Sequence, residues 1–452
     1  MPTPPVAVIG AGPIGLAAAA ELVRRGQDVV VLERGARAAA GVRTWGHVRL
    51  FSPWAELTSP AAVALLQKAG WIPPDPMRCP TGEEWADRYL DPLAAALGDR
   101  VRSGSTVVGV SKADRDLLVD SGRDEQPFVL HVRAVDGSVS RLAARAVIDA
   151  SGTLSTPNPL GAEGYPAAGE QGVAAKHTAY AIPRPDDLER YAGRATAVVG
   201  SGASALTALT SLTSDPLHTL NSRVVWVLRR ESAGRAFGGG EADQLPARGA
   251  LGTRVRAAVA DGRIEVVSGF RTSALEARTD GRVALRSADG RAVDGLDEVV
   301  CVTGFRPDLS FLSEVRLDLD SRLEAPSRLA PEIDPNVHSC GSVRPHGHDV
   351  LEQPDRGLYL AGMKAYGRAP SFLALTGYEQ VRSIAAALAG DLAAADAVQL
   401  MLPETGVCGG AGTFDEADGA GGCCGAPAGA GSQPIGLGVP ADRLLDLSPA
   451  NG

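Results

Sequence analysis

Val6-Ala7-Val8-Ile9-Gly10-Ala11-Gly12-Pro13-Ile14-Gly15-Leu16 begins the stretch that decides the fold, and it runs on to Glu33. Four apolar residues make a run of strand length, the glycine turn follows at once, Leu16 to Arg25 has helical composition, and Gly26 stops it. Asp28 to Leu32 then gives a second strand that ends on Glu33. In a strand-turn-helix-strand unit, Gly10 permits the tight turn, Gly12 lets the backbone approach a pyrophosphate, and Gly15 lets helix and strand pack closely. The N-terminal N–H groups of that helix face the phosphates, and Glu33, 23 residues after Gly10, stands where a carboxylate can accept from a ribose 2′-hydroxyl. The competing reading is a strand-to-helix turn with no ligand.

Composition narrows the rest. At 452 residues the chain holds two or three domains, and 44% hydrophobic with 21% charged residues is the balance of a soluble globular protein. There is no run of 18 apolar residues and no basic leader, so the expected location is cytoplasmic with no membrane partner. A net charge of −9 leaves no basic excess for a nucleic-acid or anionic-membrane surface. Six cysteines, three of them (Cys408, Cys423, Cys424) in the last 45 residues, do not make a disulfide-stapled fold.

Along the chain, Gly41 to Trp54 is rich in arginine and aromatic residues without a steady period, which predicts a functional loop over the nucleotide site. Helices are expected at Pro60 to Ala69 and Thr81 to Leu97, the second opened by a Thr81/Glu84 capping box. Strands are expected at Thr106 to Val110, Phe128 to Ala134 and Arg145 to Ala150, as a meander returning to the first sheet. The last ends in the small-residue turn Ala150-Ser151-Gly152.

A second dinucleotide unit opens at Thr196-Ala197-Val198-Val199, and Gly200-Ser201-Gly202-Ala203-Ser204-Ala205 repeats the glycine pattern 190 residues after the first. Alanine at the third position still packs at a helix crossing. The next strand, Val224 to Leu228, ends in Arg229-Arg230 rather than in an acid. A guanidinium pair there binds a 2′-phosphate through bidentate, charge-assisted bonds and favours NADPH, against the alternative of two arginines on a solvated strand end. A strand into the Thr303-Gly304-Phe305 turn reads as the hinge back to the first domain. Gly357 to Gly362 gives a last strand and turn, and Ser371 to Leu388 a helix stopped by Gly390. Residues 405 to 437 are too rich in glycine, alanine and small polar residues to bury much apolar surface, so a tail or extended arm is expected there.

The order of these features resembles the two-dinucleotide-domain flavoproteins and, within them, the class B-like flavin-dependent monooxygenases. The resemblance covers residues 5 to 390. His177-Thr178-Ala179-Tyr180 is similar to part of the monooxygenase signature, without its phenylalanine and with Gly172 five residues before His177 instead of four. Gly362 to Pro370 and the cysteine-bearing tail are similar to actinobacterial flavoproteins found with arsenic-resistance genes.

The resemblance implies an α/β fold of two Rossmann-like domains, with an NADPH domain (158–304) inserted in a FAD domain (1–157 and 305–398) and a tail at 399–452. FAD would be held by Gly10, Gly12, Pro13, Ile14, Gly15, Glu33, Arg34, Val108, Ser151, Gly152, Gly362, Met363 and Ser371. NADPH would be held by Gly200, Gly202, Ala203, Ser204, Ala205, Arg229, Arg230, Thr303 and Gly304. It also implies hydride transfer to the flavin, addition of O₂ at flavin C4a, and oxygenation of a small soft nucleophile. Arg49, Trp54 and Tyr366 would surround the isoalloxazine and His177 the nicotinamide, and the resemblance admits a homodimer.

Two other readings stay open. A disulfide reductase needs two thiols near the flavin, and the body of the chain has only Cys79, Cys301 and Cys340, far apart, so Cys340 or the tail pair Cys423-Cys424 would have to serve. The third is a nucleotide-bound redox sensor. Cys408, Cys423 and Cys424 offer thiolates to a thiophilic metalloid such as trivalent arsenic, against a reading of incidental cysteines in a flexible tail.

Overall fold

The computed structural model describes residues 3–400 apart from 216, 218–221, 241–242, 244, 337–342, 344 and 370–371. Eighteen strands are named here in chain order. They are β1 Val6–Ile9, β2 Val29–Leu32, β3 Val101–Arg102, β4 Thr106–Lys112, β5 Phe128–Arg133, β6 Val139–Ala144, β7 Ala146–Asp149, β8 Thr178–Ala179 and β9 Ala195–Val199. There follow β10 Arg223–Val227, β11 Glu265–Val267, β12 Thr272–Ala277, β13 Val283–Ser287, β14 Ala292–Leu296, β15 Glu298–Cys301, β16 Leu319–Asp320, β17 Ala325–Pro326 and β18 Leu358–Leu360.

The apolar runs of β1, β2 and β7 are buried on both faces, as strands of a parallel sheet covered on both sides must be. They pair in a five-stranded parallel sheet of order β18-β7-β1-β2-β3. Register matters most here, because Ile9 pairs with Asp149 and Asp149 with Leu360. Three C-terminal strand ends, and the turns that follow them, therefore meet at one edge. The Pro13–Arg24 helix lies on this sheet through Leu16 and four consecutive alanines, all but buried.

The second sheet, of order β11-β10-β9-β15-β8, takes all its strands from the stretch between β7 and β18. Its strands alternate cleanly. Val198, Val224, Trp226 and Val300 face the Ala203–Leu212 and Pro246–Ala260 helices, while Ala197, Val199, Val225, Val227, Val299 and Cys301 face the β12-β13-β14 antiparallel sheet. The α/β class with two Rossmann-like sheets is thus what the sequence predicted.

Several details differ from expectation. The strands at 106–112 and 128–133 do not rejoin the first sheet; with β6 they form a separate antiparallel sheet, and only β7 returns. β6 went unpredicted because its solvated edge carries no apolar alternation. The Thr81/Glu84 capping box forms, with Glu84 N–H to Thr81 Oγ1 at 3.2 Å and Thr81 N–H to Glu84 Oε2 at 2.8 Å. The helix it starts is interrupted by a π-turn over Ala86–Leu90 before Asp91–Leu97, as suits a segment whose Pro92 has no N–H to continue the ladder. The helix that reaches Leu388 spans Ala374–Leu388, and a short helix Leu392–Asp396 follows it.

One buried ion pair ties the antiparallel sheet to the approach of β18. Arg123 and Asp355 are 2% and 1% exposed, bonded at 2.7 and 2.8 Å, and Arg123 also donates to the carbonyls of Asp116 and Glu314. Removing one partner strands a buried charge. Arg123→Met is expected to cost about 3–5 kcal/mol in denaturant unfolding, and adding Asp355→Leu to recover most of it. A single variant as stable as the parent would contradict the pairing.

Candidate functional site

Each glycine of the first turn meets a different steric condition. Gly10 has φ +97°, and a Cβ on it would lie 2.9 Å from the Ala150 carbonyl oxygen. On Gly15 a Cβ would lie 1.9 Å from the Gly10 oxygen, so only hydrogen fits where helix meets strand. On Gly12 a Cβ meets nothing within 4 Å. That open face lies over the N-terminus of a 12-residue helix whose N-cap makes no side-chain hydrogen bond. First-turn amides directed into open space form a phosphate seat.

The second turn repeats this. Gly200 has φ +140° and presses on the Val302 oxygen, Gly202 is open, and the Ala203–Leu212 helix again has no side-chain cap. Ala205 is fully buried, a methyl at the third glycine position. Ser204 lies in the helix's first turn and Thr303-Gly304 just beyond β15 at the same edge.

Glu33 is 7% exposed and its carboxylate accepts from Ala11 N–H at 2.8 Å and Gly35 N–H at 2.7 Å. It therefore closes the glycine turn, and of the roughly four acceptor sites of a carboxylate about two remain. Arg34 is exposed beside it. Ser151 and Gly152 follow β7 directly, and Gly362, at φ +70°, seats against Ile14, to which a Cβ would come within 3.1 Å. Gly377 of the Ala374–Leu388 helix presses on Ile14 from the other side. Residues from four distant parts of the sequence thus converge on one wall. Val108 lies exposed on β4, next to a bulge.

Arg229 and Arg230 follow β10 at the strand end, as predicted. Burial and then the charges of Arg235 and Arg229 push the Arg230 guanidinium below its ordinary value. Arg235 was missed because it lies outside the strand-end pair. A cavity of about 330 Å³ borders Arg229, lined also by Glu163, Arg271 and Thr272.

The residues proposed for catalysis fare differently. His177 does not reach the nicotinamide edge. β8 adds to β15 in parallel with Thr178 opposite Val299, so His177 falls at the strands' N-terminal side, its Nδ1 2.8 Å from the Asp297 oxygen. Arg49 is exposed and donates to the Cys79 carbonyl at 2.6 Å, holding loop to loop. Trp54 is 2% exposed and belongs to the first core, a packing residue whose Nε1 has no hydrogen-bond partner. Tyr366 is brought to the wall, 3% exposed and edge-on to Phe372 at 5.0 Å, and burial pushes its phenol up. Met363 starts the short helix containing it. Cys340, Ser371, Cys408, Cys423 and Cys424 lie outside the described residues.

One pair at the wall was missed. Lys364 and Asp149, both fully buried, stand 3.1 Å apart, and Lys364 also donates to Ser151 Oγ at 3.2 Å and to the Asp308 carbonyl. The sequence signal was available: a lone acid ends an apolar strand and a lone lysine follows another. Burial in such surroundings requires compensation.

Two thiols are described. Cys301 is buried between Asn158 and Thr303, and burial pushes its thiol up to about 12. Cys79 contacts the Phe51 carbonyl. No group of three metal-ligating side chains forms among the described residues, and no helix among them is long and apolar enough to cross a membrane.

Comparison with known proteins identifies the lineage, since a family model described as pyridine nucleotide-disulphide oxidoreductase matches residues 7–332. The chain belongs to the pyridine nucleotide-disulphide oxidoreductase family. It is thereby placed among FAD-dependent oxidoreductases that use a pyridine nucleotide. The rice (Oryza sativa subsp. japonica) indole-3-pyruvate monooxygenase YUCCA1 is 32% identical over 207 residues, a stretch spanning 45% of this chain and only 43% of that relative. Bacillithiol disulfide reductase Bdr (YpdA) from Bacillus cereus superposes with a TM-score of 0.62 at 21% identity, over 86% of this chain and 99% of that one. The FAD-bound cadaverine monooxygenase DfoA from Erwinia amylovora gives 0.58 at 14% identity, over 89% and 99%. At these identities the structures speak for the fold.

The two glycine positions of this family member separate structure from ligand. Gly15→Ala is expected to lower stability by about 1–3 kcal/mol through overpacking. Gly12→Ala should leave the melting temperature within a few degrees of the parent while flavin retention on a desalting column falls sharply. Equal melting losses in both would refute the assignment of Gly12 to a phosphate seat.

Proposed function

We propose that this chain is a single-component, FAD- and NADPH-dependent monooxygenase acting in the cytoplasm on a small soft nucleophile. Gly10 to Gly15, Glu33, Ser151-Gly152 and Gly362 hold FAD, and Gly200 to Ala205 with Arg229, Arg230 and Arg235 hold NADPH. Residues 158–304 are the NADPH domain, set within a FAD domain of 1–157 and 305–398. In support, the outgoing and returning chains pair where the division falls: Pro157 bridges Phe305, Asn158 N–H donates to the Gly304 oxygen, and Arg306 N–H donates to the Thr156 oxygen.

One observation that favours the oxygenase reading is the state of Cys301, which removes one of the chain's thiols from the service of a reductase. A thiol raised to about 12 is protonated at neutral pH and cannot attack a disulfide. Among the described residues, the segments converging on the first cradle bring Ile14, Tyr366 and Phe372 to it and no cysteine. Partial identity to YUCCA1 supports the same side.

When bound, FAD reduced by NADPH supplies the electrons for reductive activation of O₂. The chain's own residues do the rest. Uncapped helix amides and the arginines bind the phosphates, Glu33 orients the ribose, and the Lys364–Asp149 pair keeps the Ser151 turn and the returning strand in place. Ile14, Tyr366 and Phe372 provide an apolar wall that keeps water away. Trivalent arsenic is a soft nucleophile of the right class, and Cys408, Cys423 and Cys424 are the proposed carriers that deliver it.

NADPH-driven turnover under ¹⁸O₂ with a thioether or arsenite should put label in the product and leave glutathione disulfide and DTNB unreduced. Rapid disulfide reduction without label would move the assignment to the reductase. Arg229→Ala/Arg230→Ala should raise KM for NADPH about tenfold or more while NADH turnover changes little. Cys408→Ser/Cys423→Ser/Cys424→Ser should leave NADPH oxidation intact and weaken arsenite handling; unchanged handling would refute a role for the tail.

A further inference from the structure

A hydrogen-bond chain behind the first cradle determines the protonation of one histidine. Gly362 N–H donates to Gln380 Oε1 at 2.7 Å, and Gln380 Nε2 lies 2.7 Å from His346 Nε2. A backbone N–H can only donate, so the amide oxygen of Gln380 must face Gly362 and its NH₂ must face the imidazole. The NH₂ can only donate in turn. His346 Nε2 must therefore present its lone pair, and the ring proton sits on Nδ1; an imidazolium cannot take this place. Gln380 is fully buried, so turning the amide round would set its NH₂ against the Gly362 N–H, two donors facing each other in a place where unmet polar groups are costly.

His346 touches the wall a second time. Its ring lies 5.8 Å from that of Tyr366, which stands edge-on to Phe372. One side chain thus supports the Gly362 turn through Gln380 and the Tyr366–Phe372 pair directly. Between them sits Ile14, wedged by Gly362 and Gly377.

We infer that His346 is a positioning residue for the flavin-side wall, acting through Gln380 as the neutral Nδ1–H tautomer. It rests on the reading of Gly362 and Ile14 as part of the FAD site. Because His346 acts at one remove, removing its acceptor loosens the turn without removing any atom that touches the cofactor. The geometry of the seat changes, and the flavin's affinity and spectrum change with it.

The test has two arms, both on the full-length chain. Long-range ¹⁵N–¹H NMR of histidine-labelled protein should show His346 with a protonated Nδ1 and a bare Nε2. Gln380→Glu, which replaces the donating NH₂ by a carboxylate oxygen, should convert it to a doubly protonated ring. In the second arm, FAD is titrated into flavin-stripped protein. His346→Phe keeps the ring against Tyr366 and should raise the FAD dissociation constant about tenfold and alter the visible circular dichroism. His346→Gln restores an acceptor and should recover most of both. A protonated Nε2 in the parent, or a His346→Phe protein with parental affinity and spectrum, overturns the inference. Parent protein that takes up no FAD at all defeats the functional reading instead, and the tautomer measurement identifies that case separately. Should His346→Phe not fold, the Gln380→Glu spectrum alone decides, an unchanged ring being the contrary result.

Discussion

Everything at the site depends on the register of the first sheet. With Ile9 opposite Asp149 and Asp149 opposite Leu360, three strands of very different sequence position stop at the same height. Their turns then have to share one space, and each solves the crowding in its own way. Gly10 takes a positive φ against Ala150, Gly15 gives up its side chain to the Gly10 carbonyl, and Gly362 yields to Ile14. A slip of one residue in β7 would separate Ser151 from Gly10 and move Asp149 away from Lys364, dismantling the cradle and its buried charge pair together. The second sheet repeats the arrangement, with Val227, Val199 and Cys301 level with one another and Gly200 pressed on Val302.

Such an edge provides amides and space, which suits a diphosphate and little else. Two such edges lie in one chain, and an isolated bridge between Pro157 and Phe305 pairs the segments that run between them. Chemical selectivity then rests on what surrounds them. Around the first, the chain places apolar and aromatic groups; around the second, Arg229, Arg230 and Arg235 stand close together. Cys301 shows the same economy in reverse: a reactive residue type made inert by burial beside Thr303.

What was legible in the sequence was local and steric. The roles of Gly10, Gly12 and Gly15 follow from a few neighbouring residues, and the Thr81/Glu84 box from a spacing of three. His177 was misplaced because a signature read along the chain carries no register: two residues of β8 paired with β15 put the imidazole at the wrong end of the sheet. Trp54 and Arg49 were assigned by their type within an irregular loop, and loops give no period from which to tell a core residue from a wall residue. Lys364–Asp149 and His346–Gln380 were missed for a third reason. Each is a pairing across the fold, and neither partner advertises the other in sequence, although a lone charge in an apolar run is a hint that a partner exists.

The central claim is that the two cradles exchange electrons. Anaerobic titration of the purified protein with NADPH, followed at the flavin's visible absorbance, measures this directly. Bleaching that is complete near one equivalent of NADPH per flavin is the predicted result. A yellow protein whose absorbance ignores NADPH, or a protein that carries no flavin, would contradict the account.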